Sequence, residues 1–343
     1  MEAPSTDTAL DDRALGVACV MVNYGAAGLI EARLDQTLAA LRRLPGSALI
    51  VVDNASPGGD AKRLGRALAP HEDARLVAHA RNGGFAAGNN AGFDAMRAIE
   101  TERGARFAHV LLLNPDAWPE PDAIETLVGF ADETPEASIL GPRIRSEDGT
   151  VHGSAFRFPS VLGEVEDRLA TGPVTRLLSR AVVSPSPPTA PARTDWVSGA
   201  AMLMRRGLID EIGPMDEDYF LYFEETDYQR AAARAGHAAW YVPMAVFTHL
   251  EGQTTGQGKA AEDERAVPDY WFRSRRRYFE KNHGGAYADR ADRAWLLASR
   301  AYVLRQRVLG RSDGGRAAAI ERFRANRGKA GSGAPPGAGP EAR

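Results

Sequence analysis

The chain has 343 residues, 44% of them hydrophobic and 25% charged, a globular balance that excludes disordered, collagen-like and coiled-coil classes. Its net charge of -3, from 42 Lys and Arg against 45 Asp and Glu, supplies no global field for nucleic acid, so any basic partner surface must be local. The single cysteine, Cys19, excludes an internal disulfide framework or a cysteine zinc cluster and suits a reducing cytoplasm.

One main domain with appendages is expected, because a single core seldom grows past about 250–300 residues. Residues 1–13 are polar and acidic, lack the basic start and apolar stretch of an export signal, and read as a disordered amino terminus. No apolar run approaches the ~18 residues that would span a bilayer, so the chain is expected to be cytoplasmic, soluble or peripheral.

The elements then follow in order. Leu15 to Asn23 reads as a first strand and Leu29 to Leu44 as a helix with Leu34, Leu38 and Leu41 on one face. A second strand is expected over Ala48 to Asp53, a helix over Lys62 to Leu68 and a third strand over Arg75 to Ala80. Ala87 to Glu100 reads as a helix and Ala108 to Leu113 as a strongly apolar fourth strand. Alternating strands and helices predict βαβ units and a mainly parallel sheet. The second half is less regular: Ser184 to Ala192 is a Pro/Ser/Ala loop, Trp196 to Met204 a strand, and the stretch from Arg327 a disordered tail.

Ligands of such sheets bind beyond the carboxyl ends of the strands, and the loops there carry Asn23-Tyr24, Asp53-Asn54, Asn82-Gly83-Gly84 and Asn114-Pro115-Asp116. Asp53 is placed either to accept hydrogen bonds from a base or ribose or to cap a turn. Asn82 to Asn90, with Gly83, Gly84, Phe85, Gly88 and Asn89, is either a phosphate or sugar cradle at a helix start or a tight turn. Asn114 and Asp116, two apart, share a face if their loop is extended, and can hold Mg2+ or Mn2+ while a diphosphate completes the shell; a Pro-Asp turn is the alternative.

Phe220 to Arg230 places Glu224, Glu225 and Asp227 directly after an aromatic run. Either desolvated like charges raise one carboxylate toward a general base, or the acids compensate a helix dipole. His249, ending an apolar strand and preceding Gly252 to Gly256, is a third metal ligand, a diphosphate contact or a structural residue.

Taken in this order, the motifs resemble family 2 glycosyltransferases of the GT-A fold, in the rhamnosyltransferase-like branch. The resemblance rests on Val51 to Ser56, Asn82 to Asn89, Leu112 to Asp116, Ser198-Gly199-Ala200 before Met202, and Glu224 to Asp227 followed by His249. It implies an α/β nucleotide-diphospho-sugar transferase fold: a Rossmann-like mixed, mainly parallel sheet flanked by helices. A nucleotide-binding half over residues 14–118, an acceptor and catalytic half over 119–285, a basic helical extension over 286–327 and a disordered tail over 328–343 are expected.

The resemblance further implies an inverting transfer from a nucleotide-diphosphate sugar, with dTDP-rhamnose one candidate, to a hydroxyl of a cell-surface or lipid-linked glycan. Asn23, Tyr24, Asp53, the Asn82 to Asn89 segment, Asn114, Ser198, Gly199 and Ala200 would contact the donor or border donor sugar and acceptor. Asp116, Asn114 and His249 would hold Mg2+ or Mn2+. Glu225 is the first choice of base and Glu224 the next, with Asp227 orienting the acceptor or Arg230. An inactive carbohydrate-binding protein of the same fold is the non-enzyme alternative. A nicotinamide enzyme is the other rival, although the first crossover lacks the Gly-x-Gly-x-x-Gly of a dinucleotide site.

Ten arginines lie between Arg273 and Arg311, interleaved with Trp295, Tyr302 and Leu309 at seven-residue spacing. Either this is a helix packed on the catalytic domain with a solvated basic face, or it contacts an anionic membrane surface. Oligomeric state is not encoded in any of these patterns.

Overall fold

A computed structural model describes residues 11–169, 171–250, 264 and 267–327. The expected tail over 328–343 and the Gly252 to Gly256 segment lie outside the described residues, as do residues 1–10. The first strand starts at Asp11, where its backbone pairs with Ala105, so it reaches into the stretch expected to be disordered.

Strands β1 (Asp11–Asn23), β2 (Ala48–Asp53), β3 (Ala74–Ala78) and β4 (Ala105–Leu113) lie parallel in the order β3-β2-β1-β4. Their long apolar runs reflect cover on both faces. Val17, Cys19 and Met21 pack with Ile30, Leu34 and Leu38 of α1 (Ala27–Arg42) and with Leu64 of α2 (Asp60–Leu68). Ala18 and Val20 point the other way, to Phe93, Met96 and Ile99 of α3 (Gly84–Arg103). Cys19 is fully enclosed, and burial pushes its thiol far up, which leaves it inert.

Helix α3 starts three residues earlier than expected, so most of the glycine-rich segment is helical rather than loop. Its glycines answer to the sheet. A Cβ on Gly88 would stand 2.5 Å from Val22 Cγ1, and one on Gly92 2.3 Å from Val20 Cγ1. One turn apart, they let α3 lie close on β1. Gly88→Ala is therefore expected to cost about 1–3 kcal/mol by overpacking; an unaltered thermal midpoint would rule out this contact as the reason for the glycine.

The sheet continues through β11 (Ala201–Arg205), antiparallel to β4 and to β6 (Ala137–Arg145), then through β12 (Ala238–His249) to β5 (Ala117–Pro119). Short strands β7 (Val151–His152) and β9 (Ala192–Thr194) pair with β6 and β12. The strand expected over Trp196 to Met204 is broken. β10 (Trp196–Val197) pairs with β8 (Ala155–Phe156) in a separate ribbon, and Ser198 to Ala200 turn the chain into β11. Residues 184–191 contain no helix or strand. Helix α4 (Ala123–Glu133) covers one face of this half, and α7 (Arg206–Ile212) and α8 (Glu224–Arg234) the other.

Helices α9 (Asp269–His283), α10 (Gly285–Val308) and α11 (Arg316–Asn326) pack with α5 (Val161–Leu169) around Phe272, Trp295, Val303, Ile320 and Phe323; α6 (Gly172–Leu177) follows α5. At their centre the fully buried Arg275 pairs with Glu164 at 3.0 Å and Asp292 at 2.7 Å. The expected Trp295/Tyr302/Leu309 stripe does not form a single surface. Trp295 is core, stacked on Phe323; Tyr302 lies beneath the Arg316 guanidinium; Leu309 falls beyond the helix end. Among the described residues no helix is long and apolar enough to cross a membrane.

Candidate active site

The parallel register sets Asn23 beside Asp53 at the carboxyl ends of β1 and β2. Both side chains are buried and used within the chain. Asn23 Nδ2 donates to Asp53 Oδ1 at 2.7 Å and to Ser56 Oγ at 2.9 Å, while its Oδ1 accepts from the Ala26 amide. Asp53 Oδ2 accepts from the Ser56 amide at 3.3 Å. Asn23 and Asp53 are thus both engaged in turn-forming hydrogen bonds within the chain. Tyr24, half-exposed, is the residue of this corner left facing outward.

The start of α3 is likewise engaged within the chain: Gly83 N–H donates to Asn54 Oδ1, Gly84 N–H to Asn82 Oδ1, and Phe85 N–H to the Phe220 carbonyl at 2.9 Å. The Asn89 side chain donates to the Phe85 carbonyl. Gly84, at φ +88°, sits so close that a Cβ would come within 2.1 Å of the Phe220 oxygen. The segment forms a seam between chain segments. Asn54 and Asn90, which lie in these motifs but are not among the expected donor contacts, hold it. Asn54 Nδ2 bridges Asn82 and Gly84, and Asn90 exchanges two hydrogen bonds with the Met215 backbone.

The Asn114 to Ala117 loop is a turn, closed by Ala117 N–H to the Asn114 carbonyl at 3.0 Å. It is not the extended loop that would align Asn114 with Asp116. Pairing of β5 with β12 sets His249 opposite Ala117, and this brings His249 Nε2 to 3.0 Å from the buried Asp116 Oδ1. No group of three or more His, Cys, Asp or Glu that could hold a metal occurs among the described residues. The Asp116–His249 pair nonetheless has suitable chemistry. One carboxylate and one imidazole 3.0 Å apart match adjacent ligands of an octahedron with ~2.1 Å bonds.

The Ser198 to Ala200 turn joins this loop to the acidic cluster. Ala200 accepts from the Asn114 amide at 2.9 Å, and Ser198 Oγ accepts from the Ala200 amide. Glu225 lies over Gly199, its side chain 3.5 Å from where a Cβ would stand. Glu224 is buried and Glu225 half-buried, and one oxygen of each is enclosed without a hydrogen-bond partner. Burial, and after it the Glu225 charge, pushes Glu224 well above the ordinary carboxylate range; burial also pushes Glu225 up. Burial and mutual repulsion favour the state of such a pair in which one member keeps its proton.

Asp227 is different. Lys281 Nζ donates to its Oδ2 at 2.6 Å and Asn282 Nδ2 to its Oδ1 at 2.7 Å. Arg230 is not its partner; the Arg230 guanidinium lies over the Phe158 ring instead. Asp227 ties α8 to α9. Just ahead of the two glutamates, Tyr222 and Phe223 adopt left-handed φ values of 71° and 70°, a strain of about 1–3 kcal/mol per residue. Helix α9 braces them: Tyr270 stacks on Tyr222, Trp271 and Tyr278 pack on Phe223, and Ser274 Oγ donates to the Leu221 carbonyl. No spacing or motif in the sequence signals this brace.

A mixed, mainly parallel sheet whose strand ends carry the Asp116–His249 pair and, beside the Ser198 to Ala200 turn, a desolvated carboxylate pair is the architecture of a GT-A glycosyltransferase. A profile of the family described as "Glycosyltransferase like family 2" matches residues 15–267, and the chain belongs to that family. An N-acetylglucosaminyl-diphospho-decaprenol L-rhamnosyltransferase of Mycobacterium tuberculosis is 30% identical over 252 residues, 71% of this chain and 78% of that protein. A low-salt glycan biosynthesis hexosyltransferase of Haloferax volcanii is 27% identical over 240 residues, 66% of this chain and 63% of the relative. Among solved structures, a mannosyltransferase from Pyrobaculum calidifontis in complex with GDP-Man and Mn2+ shares the fold. Its TM-score is 0.54 at 16% identity, covering 93% of this chain and 84% of that one. The chain is an enzyme of glycosyl transfer, and the nicotinamide alternative falls.

Proposed function

We propose that the protein transfers a sugar, with inversion, from a nucleoside-diphosphate donor to a hydroxyl of a lipid-linked or cell-surface glycan, with Glu225 as general base. The observation that carries this is the position of Glu225: desolvated, over Gly199, in the turn that also anchors the Asn114 to Asp116 loop. Glu225 removes the acceptor hydroxyl proton as the oxygen bonds to the anomeric carbon, the bond to the diphosphate breaks on the opposite face, and the nucleoside diphosphate leaves with the electron pair. Glu224, its neighbour in charge, sets when Glu225 is ionised. The left-handed turn at Tyr222 and Phe223 holds both carboxylates in place.

Asp116 and His249 are the residues that would hold Mg2+ or Mn2+, with Asn114 on the same loop. The ion would offset charge developing on the leaving diphosphate. Tyr24, Ser198 and Ala200 would contact the donor or border donor sugar and acceptor. The Mycobacterium relative makes rhamnose the first donor to test and a diphosphate-linked N-acetylglucosamine lipid the first acceptor.

Purified protein with dTDP-rhamnose and such an acceptor should release dTDP and give a glycoside of opposite anomeric configuration by NMR. Retained configuration would rule out the single displacement. Separately, Mn2+ should enlarge the thermal shift produced by the matching nucleoside diphosphate. Asp116→Ala should remove that Mn2+ increment, and its persistence would place the ion elsewhere.

A further inference from the structure

We infer that the outer face of α10 is a docking surface for an anionic lipid bilayer. While Trp295, Leu296 and Val303 turn inward, Leu297 and Leu304 are each 64% exposed and Val308 78%, with Ala301 exposed between them. Intervals of four, three and four residues align these side chains in one row, about 16 Å long at 1.5 Å per residue. A lone exposed leucine is ordinary, but an aligned apolar row on the surface marks a contact.

Its flanks identify the partner. Helical geometry puts Arg293, Arg300 and Arg307 along one side of the row and Arg305 along the other. All four are exposed, and none forms an ion pair with a described residue. Elsewhere in this bundle Arg275, Arg276, Arg277 and Arg316 are all paired with carboxylates. The only acid between residues 290 and 312 is Asp292, which is buried and held by Arg275 and Arg276.

An apolar row bordered by unpaired arginines suits a helix lying in the plane of an anionic membrane. The leucines enter the acyl boundary, and the guanidinium groups reach back to phosphate headgroups. A second copy of the chain fits poorly, since a two-fold contact would set these arginines against one another. The sequence spacing Trp295/Tyr302/Leu309 misses this face; the exposed row is offset from it. The inference stands apart from the transferase reading, because vesicle binding needs neither donor nor acceptor.

Flotation of the full chain with vesicles tests it. Binding is expected to phosphatidylcholine vesicles containing phosphatidylglycerol, not to phosphatidylcholine alone, and to weaken as salt rises. Leu304→Glu should abolish it. Arg300→Gln with Arg307→Gln should lower partitioning about 30-fold, at ~1 kcal/mol for each arginine. These exposed substitutions should leave the thermal midpoint in place; if Leu304→Glu lowers it, the arginine pair decides. Absence of binding to mixed vesicles, or undiminished binding by the arginine variant, overturns the inference. So does concentration-dependent dimerisation of the wild type that Leu304→Glu abolishes, which would assign the face to a second copy.

Discussion

Glu225→Gln is expected to lower kcat by roughly 10²–10⁴-fold while preserving the thermal shift given by the donor nucleotide. Glutamine keeps the shape that lies over Gly199 but cannot take the acceptor proton. The wild-type rate should climb with pH along an acid limb above the usual carboxylate range, because burial raises both glutamates and the base acts only when ionised. Two coupled carboxylates lose their protons in two macroscopic steps, so the limb belongs to the pair.

The sign for stability is opposite. Groups whose pKa is raised by folding contribute fully below their unfolded value, and that contribution is lost as pH rises through the folded value. Glu225→Gln should therefore be more thermostable than wild type at neutral pH and nearly equal to it in acid. Transfer at wild-type rate by Glu225→Gln would move the base to Glu224.

Asp227→Ala is expected to lose both stability and rate. It strips a charge-assisted partner from Lys281 and leaves the Asn282 amide only the Tyr278 carbonyl as acceptor where α8 meets α9. Lost hydrogen bonds to a buried charge cost about 1.5–3 kcal/mol each, and the half-exposed Lys281 puts the total near the lower end. The glutamates stand two and three residues upstream, so kcat should fall tenfold or more with KM for the donor little changed. Asp227→Asn, which keeps an oxygen for Lys281 or Asn282, should recover most of the midpoint. A proton-transfer role would instead leave Asp227→Asn as slow as Asp227→Ala; full rate in Asp227→Ala would remove Asp227 from both roles.

Much of the fold is legible in the sequence, because long apolar runs and helical periodicity report burial directly. β2 matches its expected bounds, and β1, β4 and α1 differ only at their ends. The contacts that the sequence left out share a cause. Gly84 and Gly88, read as part of a possible cradle, each lie against another part of the chain, Phe220 and Val22. Asn23, Asn82 and Asn89, read as ligand amides, satisfy local backbone or side-chain groups. A residue type reveals that close approach or hydrogen bonding is required there; the partner depends on tertiary contacts. For the same reason Asp227 resembled its two acidic neighbours until Lys281 and Asn282, more than fifty residues away, were seen to hold it.

The seam at Gly84 and Phe220 also constrains how such an enzyme can change. A side chain at position 84 would strike the carbonyl that receives the Phe85 amide, and the loop bearing that carbonyl leads within four residues to Glu224. Specificity at the two ends of the reaction is therefore not inherited as two independent modules. A lineage that replaced Gly84 would have to re-route the stretch from Met215 to Phe223 in the same step, or lose the aim of its carboxylates.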